Sequence, residues 1–380
     1  FTPTAGEEEP NNTLSLATSY TDLAGNAGPS ETTVNYEVET LAPTVNRVEI
    51  TSGSGKQNNF LNASDAGGGD VLTLSVIFRE SVIVDNASGT PTLTLAVGDD
   101  NQTATYTSGS GGTTLVFKYT IQAGETDSNG ISIGANVLAL NSGTIKDATG
   151  NNATLTHSAL TDNASYKVDT TAPTANFSAA TDDVGPVRGA LTSGNTTDDT
   201  ALVLSGTNES GSSVKVYNGS TELGSATVSE TSWSYSATVA NGTTYQFNVR
   251  ETDLAGNTSA ATSNLAVTGD TAAPTANFTA ATDDIGTVQG ALTSGDTTDD
   301  TAALLLTGTN ESGSSVMVYD NSTELGAATV SGTSWSYSAT VANGTTHQFN
   351  VRETDLAGNT SAATSNLAVT GDTTPPTVSG

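Results

Sequence analysis

One block of this sequence, roughly the length of a small β-sandwich, occurs twice. APTANFSAATDDVGPVRGALTSG, starting at Ala172, returns as APTANFTAATDDIGTVQGALTSG starting at Ala273. ETDLAGNTSAATSNLAVTGD, starting at Glu251, returns unchanged at Glu353. The offset is 273 − 172 = 101 residues early and 353 − 251 = 102 late, so one residue was inserted in between. TALVLSG against TAALLLTG places the insertion near Ala302 or Ala303, ahead of a strand. Leu304 and Leu306 thereby stay matched to Leu202 and Leu204. A slip inside the strand would turn its buried side chains outward.

Such a period, broken by frequent turn signals, predicts an all-β chain of tandem immunoglobulin-like β-sandwich domains arranged as an extended rod. Strands are expected at Asn176–Ala179, Ala201–Ser205, Ser213–Tyr217, Glu222–Val228, Ser232–Thr238, Thr244–Glu251 and Ser263–Thr268. Period-two faces support them: Leu202/Leu204, Val214/Val216, Trp233/Tyr235, Tyr245/Phe247/Val249 and Leu265/Val267. The repeats occupy residues 172–272 and 273–373. Residues 44–171 read as a larger, different module with apolar alternation at Leu72/Leu74/Val76/Phe78, Leu93/Leu95/Val97 and Leu115/Phe117/Tyr119/Ile121. Residues 1–43 read as the C-terminal part of another sandwich, with a hairpin at Tyr20–Asn26 and a last strand at Thr33–Val38. Residues 374–380 read as the start of a following unit. The chain opens at Phe1, partway through a unit, and so reads as a fragment of a larger protein. ETLAPT, VDTTAPT, GDTAAPT and GDTTPPT punctuate the junctions, where proline ends a strand and stiffens the link.

Composition narrows the function. Forty acidic residues stand against ten basic ones, a net charge of −30. The excess is spread along the chain: −7 over residues 1–43, −6 over 44–170, −7 over 171–272 and −10 over 273–380. A polyanion of this kind does not seek nucleic acid or an anionic membrane surface. Divalent cations are its natural partners, although acidity also serves plain solubility. Cysteine is absent, so packing, hydrogen bonds or metal must hold the domains. No apolar run long enough to insert directly into a membrane is present.

The order TSGxxTDDTxxxLSGTxExGSSVxVY, WSY, TDLAGNTS and DTTAPT resembles the bacterial Ig-like repeats of giant type I-secreted and biofilm-associated surface adhesins. The resemblance covers 172–373 and, in part, the first unit. The module at 44–170, with GTPTLTL, TATYTSGSG and GISIGANVLALNSGTIKDATGN, resembles a second Ig-like module of the same proteins. This resemblance implies an extracellular, cell-surface location, a stalk or extender role, and calcium at domain junctions.

Acidic pairs are the candidate chemistry. Asp182–Asp183 and Asp198–Asp199 flank the long connection between the first two strands of one repeat; Asp283–Asp284 and Asp299–Asp300 do so in the next. Strand directions in an Ig sandwich place that connection beside the outgoing linker at Asp270, and the last hairpin at the opposite pole. Stacked neighbours would bring Asp198 and Asp199 near Asp270 and near Asn310, Glu311 and Asp355. Carboxylates so gathered repel one another, and a Ca²⁺ ion, which takes six to eight oxygen ligands, would relieve that. The D-x-A-G-N elements at Asp22–Asn26, Asp253–Asn257 and Asp355–Asn359 read either as hairpin turns in which Asp bonds its own backbone or as carriers of metal ligands. KDATGNN at Lys146–Asn152 is the analogous turn of the larger module. A separate candidate, Glu125, Asp127 and Asn129 followed by Gly130, matches the first half of an EF-type loop, but no Glu stands at its twelfth position.

Enzyme chemistry has little material. His157 and His347 are the only histidines, and His347 stands where the other repeat has Tyr245. Trp233 and Trp335 alternate with Tyr235 and Tyr337, the pattern of core residues more than of sugar platforms. The expected protein is a non-enzymatic extender whose partners are the neighbouring Ig-like domains of its own chain. A subunit of a self-assembling filament and accessory modules of a secreted carbohydrate-active enzyme stand as alternatives.

Overall fold

The computed structural model describes residues 2–63 and 68–377. The last three residues of the expected following unit, 378–380, lie outside them. The chain divides into two units, Phe1–Pro173 with Thr252–Thr258, and Thr174–Glu251 with Ser259–Gly380. Among the described residues all regular structure is strand. The architecture is that of all-β, immunoglobulin-like sandwiches.

In the first unit, β1 (Glu8–Asn12) pairs with β4 (Tyr36–Glu39), and β2 (Ser15–Leu16) with β3 (Glu31–Thr32). The expected strand at Thr33–Val38 is therefore broken. Of the apolar residues in this first stretch, Leu14, Leu16, Leu23 and Val34 are exposed. The larger module follows with β5 (Val45–Ser54), β6 (Phe60–Leu61), β7 (Val71–Asp85), β8 (Thr92–Val97), β9 (Asp100–Ser108), β10 (Gly112–Thr120), β11 (Thr126–Asp127), β12 (Leu138–Ala139), β13 (Thr144–Lys146) and β14 (Lys167–Asp169). One sheet runs β12-β8-β9-β10-β7-β13 with β5 along β7; the other is only β11-β14-β6. Alternation dictates the core: Leu72, Leu74, Val76, Leu93, Leu95, Leu115 and Phe117 are fully buried. Ile131 and Ile133, in a loop over the narrow sheet, complete it.

The first repeat folds into two five-stranded sheets. β15 (Ala179–Asp182), β16 (Gly189–Ala190), β18 (Ala201–Thr207), β21 (Thr227–Ser229) and β22 (Ser232–Thr238) form β16-β15-β18-β22-β21. β17 (Asn195–Thr197), β19 (Ser213–Asn218), β20 (Thr221–Ser225), β23 (Thr244–Thr252) and β24 (Leu265–Gly269) form β17-β24-β23-β19-β20. The second repeat copies both, from β25 (Asn277–Asp283) to β34 (Leu367–Gly371). Between the facing sheets lie Leu202, Leu204, Val214, Val216, Trp233, Phe247, Val249 and Val267. Each large apolar side chain so buried contributes about 1.5–3 kcal/mol. The expected Glu222–Val228 strand is instead two strands, because the chain changes sheets at Ala226, whose N–H donates to the Val214 carbonyl at 2.9 Å. The inserted residue lies where the sequence places it. Ala302 and Ala303 are exposed ahead of β28 (Leu304–Thr309), and Leu304 pairs with Ala339 as Leu202 pairs with Ala237.

Both tryptophans belong to the core. Trp335 is 3% exposed, packs on Phe278 at 5.7 Å and donates its indole N–H to the Asn277 carbonyl at 3.0 Å. Gly308 makes that approach feasible: a Cβ there would lie 2.1 Å from the Asn277 oxygen and 2.5 Å from the indole nitrogen. Gly308→Ala is therefore expected to destabilise the second repeat by about 2 kcal/mol. In a Trp233→Phe background, urea titration followed by fluorescence of the remaining Trp335 reads that loss directly; an unchanged midpoint would contradict this packing.

Candidate functional site

The two poles of each repeat are built from short-range rules. At the outgoing pole, β17 runs parallel to β24, with Thr197 paired to Gly269, and the Asp270 N–H donates to the Thr197 carbonyl at 2.8 Å. This sets Asp198 and Asp199 beside the linker. Asp182 is buried and already satisfied: it accepts the Thr197 hydroxyl at 2.5 Å and the Val184 N–H at 3.0 Å. Asp283 repeats those bonds with Thr298 and Ile285. These two aspartates tie the ends of the connection together. Asp183, Asp284 and Asp299 are exposed.

Asp198 and Asp199 differ from them. Asp199 is 3% exposed; one oxygen accepts the Ala201 N–H at 2.8 Å and the other, Oδ2, has no partner. Asp300 repeats this with an unpartnered Oδ2. Asp198 has a buried Oδ1 without a partner. Burial, followed by the negative charges of Asp182, Asp355 and Asp199, pushes the Asp198 carboxyl above its ordinary range. Asp355 belongs to the next repeat, so the junction does bring carboxylates of two domains within electrostatic reach. The side chain of Glu311 is exposed.

At the incoming pole a buried carboxylate dominates. Glu353 is fully buried; its Oε1 accepts the Glu311 N–H and the Ser314 hydroxyl, both at 2.6 Å, and Oε2 has no partner. Glu251 makes the same two bonds with Glu209 and Ser212 and also leaves Oε2 unpartnered. The buried Asn208 and Asn310 each leave Oδ1 unpartnered. Sequence reasoning passed over Glu251 and Glu353, although each continues the inward alternation Tyr245/Phe247/Val249 and its counterpart. An acid on an inward face was the legible signal.

The D-x-A-G-N elements are hairpin turns of one design. The Asp355 Oδ1 accepts the N–H groups of Ala357, Gly358 and Asn359 at 2.8–2.9 Å, and its Oδ2 accepts the Asn359 amide at 2.9 Å. The other amide proton of Asn359 leaves the turn and reaches the carbonyl of Asp270, in the linker, at 2.8 Å. Asn257 does the same to the Asp169 carbonyl at 2.9 Å, within the first unit. Asn151, in the analogous turn at Asp147, reaches the Glu39 carbonyl at 3.1 Å. Burial works to raise the Asp147 carboxyl, but donors from Asn151, Thr149 and Gly150 outweigh it and hold the group below its ordinary range. With Asp253 and Asp355 saturated by their own turns, the linker-binding asparagine is the functional atom of the motif. The second repeat adds an apolar contact: Leu356 lines a 240 Å³ hollow with Val187, Arg188 and Leu191 of the first.

The EF-like candidate does not converge. Glu125 is held by the Tyr119 hydroxyl and the Gln122 N–H, Asp127 by Gly98 and Gly130, and Asn129 by Asp162. Its Thr126–Asp127 segment is strand. Asp127 and Asn129 do line a 630 Å³ cleft with Asp99, Asp100 and Asp169. Among the described residues no three His, Cys, Asp or Glu side chains are grouped to chelate an ion by themselves. His347 accepts the Ala342 N–H and pairs with Asp320 at 2.9 Å, filling the place of Tyr245 in the first repeat.

Residues 169–271 match the family model of a bacterial Ig-like domain. The fibronectin(III)-like modules of Clostridium thermocellum CbhA are 16% identical, over 48% of this chain and 90% of theirs, with a TM-score of 0.33. The Bacteroides ovatus mixed-linkage glucan utilization protein SGBP-B, solved with a heptasaccharide, is 10% identical over 87% of this chain and 70% of its own, with a TM-score of 0.17. No curated protein matches. The bacterial Ig-like match thus covers the first repeat, whose two sheets the second repeat copies.

Asn359→Ala removes a turn bond and a linker bond together and should cost about 1–2 kcal/mol. Faster amide exchange at Thr271 and Ala272 is the expected signature, read by hydrogen-exchange mass spectrometry; protection equal to wild type would show that the asparagine does not hold the linker.

Proposed function

We propose that this chain is a non-enzymatic extender segment of a larger bacterial surface protein, whose junctions are stiffened by calcium. The observation that carries the reading is Asp198: a carboxylate half-withdrawn from water, with an unpartnered oxygen, beside Asp355 of the following repeat. An oxygen-rich, cation-poor setting of this kind fits a hard divalent ion. The residues that would hold it are Asp198 and Asp199, whose buried oxygens lack partners, with backbone carbonyls and water completing the shell and Asp355 of the next repeat adding its charge nearby. Bound there, calcium would offset the repulsion that now falls on Asp198. The linker bond from Asn359 would keep the two poles in place while the ion comes and goes. Extracellular placement follows from the same chemistry, since calcium is abundant outside cells and scarce within. At ten times its dissociation constant the ion would add about 1.4 kcal/mol per site.

Asp198→Asn separates the electrostatic and metal contributions. Without calcium it should raise the melting temperature by about 2 °C, because a carboxyl with a raised folded-state value costs stability once it ionises. That gain should vanish as pH falls through the ordinary carboxylate range, where the wild-type group is protonated in both states. With millimolar calcium the order should invert, the wild type becoming the more stable. Small-angle scattering of the full chain with and without calcium tests the stiffening; unchanged maximum dimension together with no calorimetric heat would end the calcium reading.

A further inference from the structure

The two sheets of each repeat carry different surfaces. Every outward residue of β18, β21 and β22 is Ala, Val, Ser or Thr, with Val203 39% exposed at the centre. In the second repeat β28, β31 (Thr329–Ser331) and β32 (Ser334–Ala339) present only Leu, Ser and Thr, with Leu305 37% exposed at the matching place. Glu230 lies in the turn joining β21 to β22, at the edge of the first of these faces. The opposite sheet carries Lys215 and Glu222, paired at 3.0 Å, and Arg250. In a chain with 40 acidic residues, a charge-free sheet face in both repeats is a selective omission.

We infer that this face docks on the same face of a second copy of the chain. Two copies of a −30 polyanion repel over most of their surfaces, and the uncharged face is where they meet at least electrostatic cost. The register gives it a regular grid: Ser205 opposite Ser234 and Val203 opposite Ser236, which a facing sheet matches with hydroxyls and small apolar groups. Aromatic side chains, which a sugar-binding platform would use, are missing from it. Four strands of three to seven residues, about 4.8 Å apart, present about 330 Å² per repeat. One pair of faces removes about 700 Å² in total, below what a specific interface needs, whereas engaging both repeats removes about 1,300 Å². The contact is therefore weak per repeat and gains strength from tandem repetition. This inference is independent of calcium at the junctions.

Sedimentation equilibrium of the full chain tests it, at fixed calcium in low salt and in 0.5 M salt. Dimerisation that tightens about tenfold with salt is expected, because screening weakens the repulsion between copies. Ser234→Glu with Ser336→Glu should weaken it at least tenfold, and so should Ser234→Lys with Ser336→Lys. Mixing the two variants should restore pairing, as only a face-to-face contact would. Circular dichroism confirms that both variants fold. A monomer at every concentration, an association indifferent to these substitutions, or no rescue on mixing overturns the proposal. Retention on a neutral polysaccharide without self-association also overturns it, in favour of a glycan partner.

Discussion

A single side-chain amide with two acceptors organises the junctions. Asn359 and its counterparts Asn257 and Asn151 spend one proton inside their turn and one on the carbonyl of the preceding linker. The turn cannot move without breaking the linker bond, and the linker cannot swing without disturbing the turn. Alanine would fill neither role, and aspartate would set a second charge against the turn's own carboxylate. Glycine one place earlier, at φ +105° for Gly358, gives the chain the left-handed step that aims the amide. A five-residue turn thus becomes a device for joining domains.

That device leaves the neighbouring carboxylates outside the linker bonding. Asp182, Asp253 and Asp355 are satisfied by hydroxyl, amide or backbone donors, and they hold the local architecture. Asp198, Asp199, Glu251 and Glu353 are not fully satisfied, although they lie deeper than surface acids usually do. Burying a carboxylate oxygen without a donor is costly. The two sets have different chemistry within one acidic composition: the first is structural, and the second leaves buried oxygens without donors.

Much of this was legible beforehand, for identifiable reasons. Leu202/Leu204, Val214/Val216 and Phe247/Val249 revealed their strands because period-two burial is a property of the sequence itself. The insertion at Ala302–Ala303 could be placed because only a site ahead of a strand leaves register intact. The outgoing pole, with Asp198 beside Asp270, followed from strand direction. The sheet change at Ala226 was hidden, since Glu222–Val228 alternates evenly and nothing local marks where the chain leaves one sheet for the other. The hydrogen bonding of Glu125, Asp127 and Asn129 was hidden for a different reason. Spacing lines up oxygens along the chain, but Tyr119 on the preceding strand and Gly98 and Asp162, remote in sequence, decide where each one points.

Repetition explains why the two features are compatible. A junction that joins poles through backbone carbonyls makes few demands on the sheet faces, so those faces vary without loosening the chain. One sheet has kept lysine, arginine and glutamate, and the other has shed charge in both copies. A face held only by the fold's own core can drift to any polar composition, and drift in so acidic a chain would deposit carboxylates on both sheets alike. The asymmetry therefore needs a cause outside the repeat, something that meets β18 and β22 from solvent and is repelled by charge.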